Sequence, residues 1–169
     1  MLLSLGSNIE PDRHLFGATR LLASRVRVVA ASQVFETVPV GTGDGPPFLN
    51  AAVEILCDLE PRSLKHGILR PLEQEMGRIR SNDPNAPRTI DMDISLFGDC
   101  VLQDEESGLE IPDPEILCRA HVAIPLADVA PETLHPVAGL KLREIAQRLD
   151  WSGVRVFPGL VLWPQSDRL

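Results

Sequence analysis

The sequence predicts an α+β fold, an antiparallel sheet with helices packed on its faces. Stretches with the apolar or alternating pattern of strands and stretches with the 3.6-residue spacing of helices follow one another over residues 2–97. Their order is strand, helix, strand, strand, helix, strand. A β-α-β-β-α-β order is characteristic of the ferredoxin-like plait. We therefore expect this architecture.

The first three elements follow closely on one another. Leu2–Leu5 is an apolar opening that predicts a strand, and Gly6-Ser7-Asn8 turns out of it. Residues 11–25 begin with a proline and repeat apolar side chains at helical spacing, so they predict an amphipathic helix. Val26–Glu36 is rich in β-branched and apolar residues and predicts one continuous strand.

Two long loops separate the next elements. Phe48–Leu56 predicts the third strand, and a helix follows from Glu60 to about Met76, with a stop signal at Gly77. One face of this helix is expected to consist of Leu64, Ile68, Leu72 and Met76. The loop over 38–47 is rich in glycine and proline and has the length of a functional lid, and a second loop covers 78–87.

Shorter elements are predicted beyond residue 97. They are a turn at Gly98-Asp99, a strand at 109–111, a short helical segment from Asp113-Pro114, a helix over 122–130, a last helix over 140–149 and a strand at 154–157.

The fourth strand, residues 89–97, carries the most informative pattern. Polar and apolar residues alternate along it, which is the signature of a half-buried strand. Asp91 and Asp93 therefore lie on one face, while Ile90, Met92 and Ile94 enter the core. Two neighbouring carboxylates repel each other unless a cation neutralises them. Mg²⁺ suits this position, because it takes one or two carboxylates and completes its shell with water and phosphate oxygens.

Arginines lie just before this strand, at positions 78, 80 and 88. Guanidinium groups bind phosphate oxygens, so carboxylates and arginines within one short stretch indicate phosphoryl-type chemistry. An Asp-x-Asp pair on the wet face of an antiparallel strand is also compatible with a simple solvated surface. The residues alone leave both interpretations open.

Composition excludes several classes of protein. The chain has 169 residues, which fits a single domain over 1–169, and its mean hydropathy is +0.03. Its net charge of −8 and pI of about 4.9 argue against a nucleic-acid partner. No apolar run approaches the length of a membrane span, so no membrane partner is expected. Cys57, Cys100 and Cys118 are scattered, as in reduced cytoplasmic proteins.

Two further features have alternative explanations. Gly6-Ser7-Asn8 follows a strand and could present backbone donors to an anion, although ordinary turn chemistry is the simpler reading. Asn50 is an amide among apolar neighbours and must be hydrogen-bonded if it is buried. It is either a structural amide or one matched to the edge of a heterocycle.

Six stretches together form a pattern typical of one family. They are Leu5-Gly6-Ser7-Asn8, Thr37-Val38-Pro39-Val40-Gly41, Phe48-Leu49-Asn50-Ala51-Ala52-Val53, Glu73 through Arg78, Pro87-Arg88-Thr89-Ile90-Asp91-Met92-Asp93-Ile94, and Ile111-Pro112 through Arg119. With them the chain resembles the 6-hydroxymethyl-7,8-dihydropterin pyrophosphokinase family. The resemblance is strongest over residues 2–136 and leaves the tail 150–169 outside. The stretch around Asp91 and Asp93 is the most specific of the six.

The resemblance implies transfer of pyrophosphate from ATP to a pterin alcohol in folate biosynthesis, by a cytoplasmic monomer that acts on small molecules. It implies two Mg²⁺ ions held by Asp91 and Asp93, with Arg78 and Arg88 acting beside them as catalytic residues. The pterin side would include Thr37, Val38, Val40, Phe48, Asn50 and His121. The ATP side would include Glu73, Arg78, Arg88, Ile94, Asp113 and Arg119.

The sequence departs from the family pattern at four positions. Asp113 stands where a histidine near the ATP phosphates is usual, and His121 stands where an aromatic residue usually covers the pterin. In the second loop, Ser81 replaces a lysine and Asn85 replaces a tryptophan. We therefore expect weaker nucleotide binding than is typical of the family.

Two alternatives to this enzyme remain at the level of sequence. The first is a catalytically silent homologue that binds pterin or nucleotide, which the four departures would suit. The second is a Mg²⁺-dependent transferase with a different acceptor. The carboxylate pair with Arg78 and Arg88 argues against the first, and the pterin-side match at Thr37, Phe48 and Asn50 argues against the second.

Overall fold

The computed structural model describes residues 1–37, 46–80 and 86–164. Within these residues the main sheet has six strands: β1 (Leu2–Ser7), β2 (Arg27–Ala31), β3 (Phe35–Thr37), β4 (Phe48–Leu56), β5 (Asp91–Leu96) and β8 (Val154–Val156). Their order is β5-β1-β4-β3-β8, with β2 also paired to β4, and all pairings are antiparallel. Strands β6 (Leu102–Asp104) and β7 (Leu109–Ile111) form a separate hairpin.

Helices cover both faces of the sheet. They are α1 (Pro11–Ala23), α2 (Pro61–Leu64), α3 (Arg70–Glu75), α4 (Ala120–Val129) and α5 (Leu142–Ala146), together with a π-helical turn at Lys65–Leu69 and a 3₁₀ turn at Pro114–Leu117. The predicted α+β fold, an antiparallel sheet with helices packed on its faces, is therefore confirmed, with one strand more between the two helical regions than the predicted order has.

Alternation along the strands divides the apolar side chains into two cores. Leu3 and Leu5 of β1 pack with Leu15 of α1 and Leu72 of α3 on one face. On the other face, strand residues pack with α4 and α5, in a cluster formed by Leu2, Ala30, Phe35, Ala52, Leu96, Ile116, Val122, Ala123, Ile124, Leu126, Val129, Leu142, Ile145 and Ala146.

The prediction of one continuous strand over 26–36 was wrong. The segment divides into β2 and β3, with Ser32–Val34 outside regular strand geometry. The Ser32 N–H donates to the Ala52 carbonyl (2.9 Å), and the Ser32 hydroxyl oxygen accepts from the Ala52 N–H (2.9 Å). A side-chain oxygen thus replaces a backbone carbonyl, which lets the chain leave the regular ladder while both pieces stay beside β4.

The predicted helix over 60–76 is present but contains one wider turn. The Arg70 N–H donates to the Lys65 carbonyl, which is the i to i+5 bond of a π-helix. The cause lies at Pro71, which has no N–H for the residue four positions earlier and whose ring crowds that carbonyl. Widening the helix just before Pro71 relieves the clash. The helix ends at Gly77 as predicted, with a φ of 78°.

The predicted helix face packs against the core. Leu64 and Leu72 are each 0 % exposed, and Ile68 and Met76 are partly buried and pack against the same core. Lys65 lies on this face as well and is 8 % exposed, at a position where regular helical spacing from Leu72 also places it.

Later elements agree with the sequence in type, with small differences in their bounds. The last helix covers Leu142–Ala146 rather than 140–149, and the Glu144 carboxylate sets its start by accepting the Lys141 N–H (2.8 Å). The predicted strand at 154–157 is β8, and it pairs with β3. Residues 38–45 of the first predicted loop and 81–85 of the second lie outside the described residues. In the described part of the chain, no helix is long and apolar enough to cross a membrane.

Replacing Ser32 with alanine should destabilise the fold. The Ala52 N–H is buried and would lose its acceptor, which costs about 1–3 kcal/mol of unfolding free energy. Urea denaturation of Ser32→Ala and of the control Ser24→Ala, whose hydroxyl bond is exposed, measures this cost. Equal midpoints for the two variants would contradict the role given to the Ser32 hydroxyl.

Candidate active site

The pairing register places Asp91, Gly6 and Asn50 in one row across β5, β1 and β4. Gly6 pairs with Asp91 on one side and with Asn50 on the other. Side chains of directly paired residues project to the same face. Since strands are spaced about 4.8 Å apart, the carboxylate and the amide rise from backbone positions about 10 Å apart.

Gly6 keeps the space between these two side chains open. A Cβ atom at this position would lie 3.2 Å from Asn50 Oδ1, closer than most Cβ contacts allow. Asn50 is buried, and its Nδ2 donates to Thr37 Oγ1 (2.9 Å). The row therefore has a carboxylate at one end, a fixed amide at the other and a gap above the glycine.

Each of the two aspartates is paired with protein cations. Asp91 Oδ2 accepts a hydrogen bond from Arg88 Nη1 (2.6 Å) and lies 3.9 Å from Arg78 Nη2. Asp93 Oδ1 accepts from the Lys65 ammonium. These cations offset the repulsion that we expected between neighbouring carboxylates.

Lys65 and Glu73 cover the free edge of β5 at Met92. The Met92 N–H donates to Glu73 Oε1 (2.8 Å), and the Met92 carbonyl accepts from Lys65 Nζ (3.1 Å). Both side chains thus satisfy backbone groups that an edge strand would leave unpaired. The sequence analysis did not single out Lys65, although regular helical spacing places it on the same face as Leu64 and Leu72.

Glu73 lies beneath the strand rather than on an open surface. It is 1 % exposed, and its second carboxylate oxygen accepts from Arg80 Nη2 (2.6 Å). Burial raises the pKa of Glu73, the negative charge of Asp91 adds to the rise, and the hydrogen bond from the Met92 N–H opposes it. The predicted role of Glu73 beside ATP stays a prediction.

The Gly6-Ser7-Asn8 turn holds the backbone of Arg88. Asn8 Oδ1 accepts from the Arg88 N–H (2.7 Å), and the Asn8 N–H donates to the Arg88 carbonyl (3.1 Å). Ser7 Oγ donates to the Thr89 carbonyl (2.5 Å). In the described structure this turn therefore serves as a clamp, in line with the simpler of its two interpretations.

Arg88 contacts both Asp91 and Phe48. Its guanidinium carbon lies 5.6 Å from the centre of the Phe48 ring, within cation–π distance, while Nη1 bonds Asp91. Phe48 was predicted for the pterin side and Asp91 for the metal side. One arginine thus contacts both groups of predicted residues.

Arg78 offers a further hydrogen-bond donor beside Asp91. Its side chain is 9 % exposed, and its Nε is buried without a hydrogen-bond partner in the described structure. A buried, unpaired guanidinium N–H is costly, and an anion such as a phosphate oxygen would satisfy it.

A second group of predicted residues lines a pocket of about 190 Å³. Thr37, Arg119 and His121 contribute to it, together with Asp150 and residues 152–154 of the tail. Burial lowers the pKa of His121, against the opposing charge of Glu115. The sequence analysis placed the tail 150–169 outside the site. The pairing of β8 with β3 brings residues of the tail to this pocket. The strand pattern at 154–157 was the signal in the sequence that could have indicated this.

Ile94 is 3 % exposed and packs in the core, and its predicted place on the ATP side stays a prediction. Val38 and Val40 lie outside the described residues, as do Ser81 and Asn85.

The Asp113 carboxylate forms a hydrogen bond with the backbone of the 3₁₀ turn that follows it. Its Oδ1 accepts from the Glu115 N–H (2.9 Å) and caps the 3₁₀ turn, while its own N–H donates to the Ser95 carbonyl (3.0 Å). Burial raises the pKa of Asp113 from 3.8 to about 6, and the charges of Glu115, Asp93 and Glu110 add to the rise against the opposing hydrogen bond.

The donor set is compatible with Mg²⁺ bound together with phosphate. Among the described residues there is no group of three or more histidines, cysteines, aspartates or glutamates that could hold a metal ion. The carboxylates of Asp91 and Asp93 alone supply two hard oxygen ligands. Mg²⁺ commonly binds through one or two carboxylates and completes its shell with substrate phosphates and water.

The elevated pKa of Asp113 predicts a specific pH dependence of stability. Because the folded state binds this proton more tightly than the unfolded state, its contribution is full below about pH 4 and is lost as the pH rises through about 6. Asp113→Asn keeps an oxygen for the cap and removes the titration. The difference in melting temperature, variant minus wild type, should increase from pH 4 to pH 7. Parallel curves would contradict this.

Comparison with known proteins identifies the family of the chain. The family model for 7,8-dihydro-6-hydroxymethylpterin-pyrophosphokinase (HPPK) matches residues 2–131. A 2-amino-4-hydroxy-6-hydroxymethyldihydropteridine pyrophosphokinase of Porphyromonas gingivalis is 40% identical over 141 residues, which are 80% of this chain and 93% of the relative. The protein of that name from Methylorubrum extorquens is 38% identical over 158 residues, 90% of this chain and 94% of the relative.

A solved structure shows the same fold. The Plasmodium falciparum HPPK-DHPS crystal structure with pteroate superposes with a TM-score of 0.66 at 17% identity. The match covers 87% of this chain and 41% of that chain, so this chain spans less than half of the length of that protein. The resemblance inferred from the sequence is confirmed, and the chain belongs to the 7,8-dihydro-6-hydroxymethylpterin-pyrophosphokinase family.

Proposed function

We propose that the chain transfers the pyrophosphoryl group of ATP to the hydroxyl of 6-hydroxymethyl-7,8-dihydropterin and releases AMP. The observation that carries this proposal is the row of Asp91, Gly6 and Asn50, with Arg88 in contact with Asp91 and with Phe48. The names of the relatives agree with it. A separation of about 10 Å leaves room for a ring at the amide and a phosphate chain at the carboxylates.

The pterin would bind at the amide end. Asn50, held by Thr37, would pair with the polar edge of the heterocycle, while Phe48 and His121 would supply the flat surfaces beside its ring. A site built to hydrogen-bond one heterocycle edge rejects acceptors that lack it, because the buried amide would be left unpaired. This argues against a transferase with an unrelated acceptor.

The triphosphate would bind at the carboxylate end. Arg78 and Arg88 would contact its oxygens, and Arg119 would approach from the start of α4. Asp91 and Asp93 would hold two Mg²⁺ ions, which when bound neutralise the charge of the phosphates.

The reaction then requires mainly positioning and charge stabilisation. The pterin hydroxyl oxygen forms a bond to the β-phosphorus, the bond from that phosphorus to the α-phosphate oxygen breaks, and AMP leaves in line. The guanidinium groups stabilise charge that builds on the phosphate oxygens. We assign no protein base to the hydroxyl proton. The loops over 38–47 and 78–87 would exclude water, as the resemblance implies.

The domain organisation, oligomeric state and location of the protein are proposals as well. We propose one domain over 1–169 that acts as a monomer. The cysteines at 57, 100 and 118 are all free, which fits the reducing cytoplasm that we propose as its location.

AMP formation tests the proposed reaction. Wild-type protein with ATP and Mg²⁺ should release AMP only when 6-hydroxymethyl-7,8-dihydropterin is present. Asp93→Asn should reduce the rate by at least about a hundredfold, because it removes a metal ligand. The control Asp99→Asn changes an exposed turn residue and should leave the rate unchanged.

Two results would contradict this proposal. Pterin binding without AMP formation by the wild type would identify a catalytically silent homologue. AMP formation that is independent of the pterin would indicate a different acceptor.

A methyl group at Gly6 should impair the pterin end selectively. Gly6→Ala would force Asn50 to move, and a hydrogen bond is worth about 0.5–1.5 kcal/mol, so the KM for pterin should increase roughly two- to tenfold. The KM for ATP should change little. The control Gly17→Ala meets Met76 Cε at 3.3 Å, a similar contact far from the row. An equal increase of both KM values would contradict the assignment of Asn50.

A further inference from the structure

We propose that Lys65 is an internal counter-ion of the candidate metal site, which neutralises Asp93 until a divalent cation displaces it. This inference rests on the proposed function only in taking Asp91 and Asp93 as the cation ligands. It assigns Lys65 a positioning role that none of the matching stretches contains.

Lys65 is held where it can act in this way. Its side chain is 10 % exposed, and the ammonium reaches around the edge of β5 from the π-helical turn. It donates to the Met92 carbonyl (3.1 Å) and to Asp93 Oδ1. One acceptor is backbone and cannot leave, so the ammonium stays at this position whichever way the Asp93 side chain turns.

Asp93 cannot keep this bond and serve fully as a metal ligand. The Lys65 ammonium occupies one of its oxygens, while half of the Asp93 side chain is exposed to solvent. A divalent cation at that carboxylate would lie within a few ångströms of the ammonium, and like charges at this distance repel strongly at a partly buried position. Metal binding must therefore weaken or break the pair of Lys65 and Asp93.

The other carboxylate shows the same arrangement. Asp91 is paired with Arg88 and lies near Arg78, so without a metal the two negative charges already face three positive ones. Such a site has little affinity for a free divalent cation. A triphosphate adds negative charge and draws the arginines to itself, which releases the carboxylates. The structure thus favours arrival of the cation together with the nucleotide.

Titration with Mn²⁺ in the absence of nucleotide tests this inference directly. Free Mn²⁺, measured by electron paramagnetic resonance, should show binding to Lys65→Met that is about tenfold tighter than to wild type, because the competing charge is gone. Lys65→Arg should bind like wild type. The control Lys141→Met removes the partner of Glu132 at a distant exposed site and should have no effect.

Asp93→Asn separates failure of this inference from failure of the metal site itself. If Asp93→Asn weakens Mn²⁺ binding while Lys65→Met leaves it unchanged or weaker, the counter-ion role is wrong and the metal site stands. If adding Asp93→Asn to Lys65→Met leaves Mn²⁺ binding as tight as in Lys65→Met alone, the assignment of the ligands is wrong, and the inference falls with it.

A purely structural role of Lys65 gives a different pattern. It predicts loss of thermal stability in Lys65→Met without tighter Mn²⁺ binding, because only the cap on the Met92 carbonyl is lost. If Lys65→Met does not fold, Lys65→Gln is the test, since its amide can still donate to that carbonyl and carries no charge. Unchanged or weaker Mn²⁺ binding by folded Lys65→Gln would overturn the inference.

Discussion

The double pairing of β1 is the constraint on which the candidate site depends. β1 lies between β4 and β5, and its register with both strands is what brings Asp91, Gly6 and Asn50 into one row. Successive strand residues face opposite sides, so a slip of one residue would turn Asp91 and Asp93 into the apolar core. Burial of Met92 and Ile94 on the opposite face therefore fixes the carboxylates as firmly as any contact of their own.

Charge at this edge is balanced by residues from separate parts of the chain. Arg88 is placed by the turn after β1, Arg78 by the end of the helix at Gly77, and Lys65 by the π-helical turn. Each of these depends on a local backbone feature rather than on a side-chain contact alone. These three cationic side chains allow two aspartates to lie close together on a half-buried strand. They also prevent this edge of the sheet from repelling ligands of high negative charge.

Strand alternation and helix spacing were enough to predict the plait and the shared face of Asp91 and Asp93, because both depend on local periodicity. What the sequence did not predict depends on single backbone events. Ser32 divides a strand by replacing a carbonyl with its hydroxyl, and Pro71 widens one turn of the helix. The tail reaches the pocket only through the pairing of β8 with β3, a contact between residues far apart in sequence.

The central claim is that one row of the sheet holds the pterin at Asn50 and the phosphate chain at Asp91 and Asp93. A crystal structure with 6-hydroxymethyl-7,8-dihydropterin, Mg²⁺ and a nonhydrolysable ATP analogue tests it most directly. The account predicts the polar edge of the pterin on the Asn50 amide, phosphate oxygens on Arg78 and Arg88, and metal on both aspartates. A pterin bound away from Asn50, or a phosphate chain that does not approach the aspartates, would contradict it.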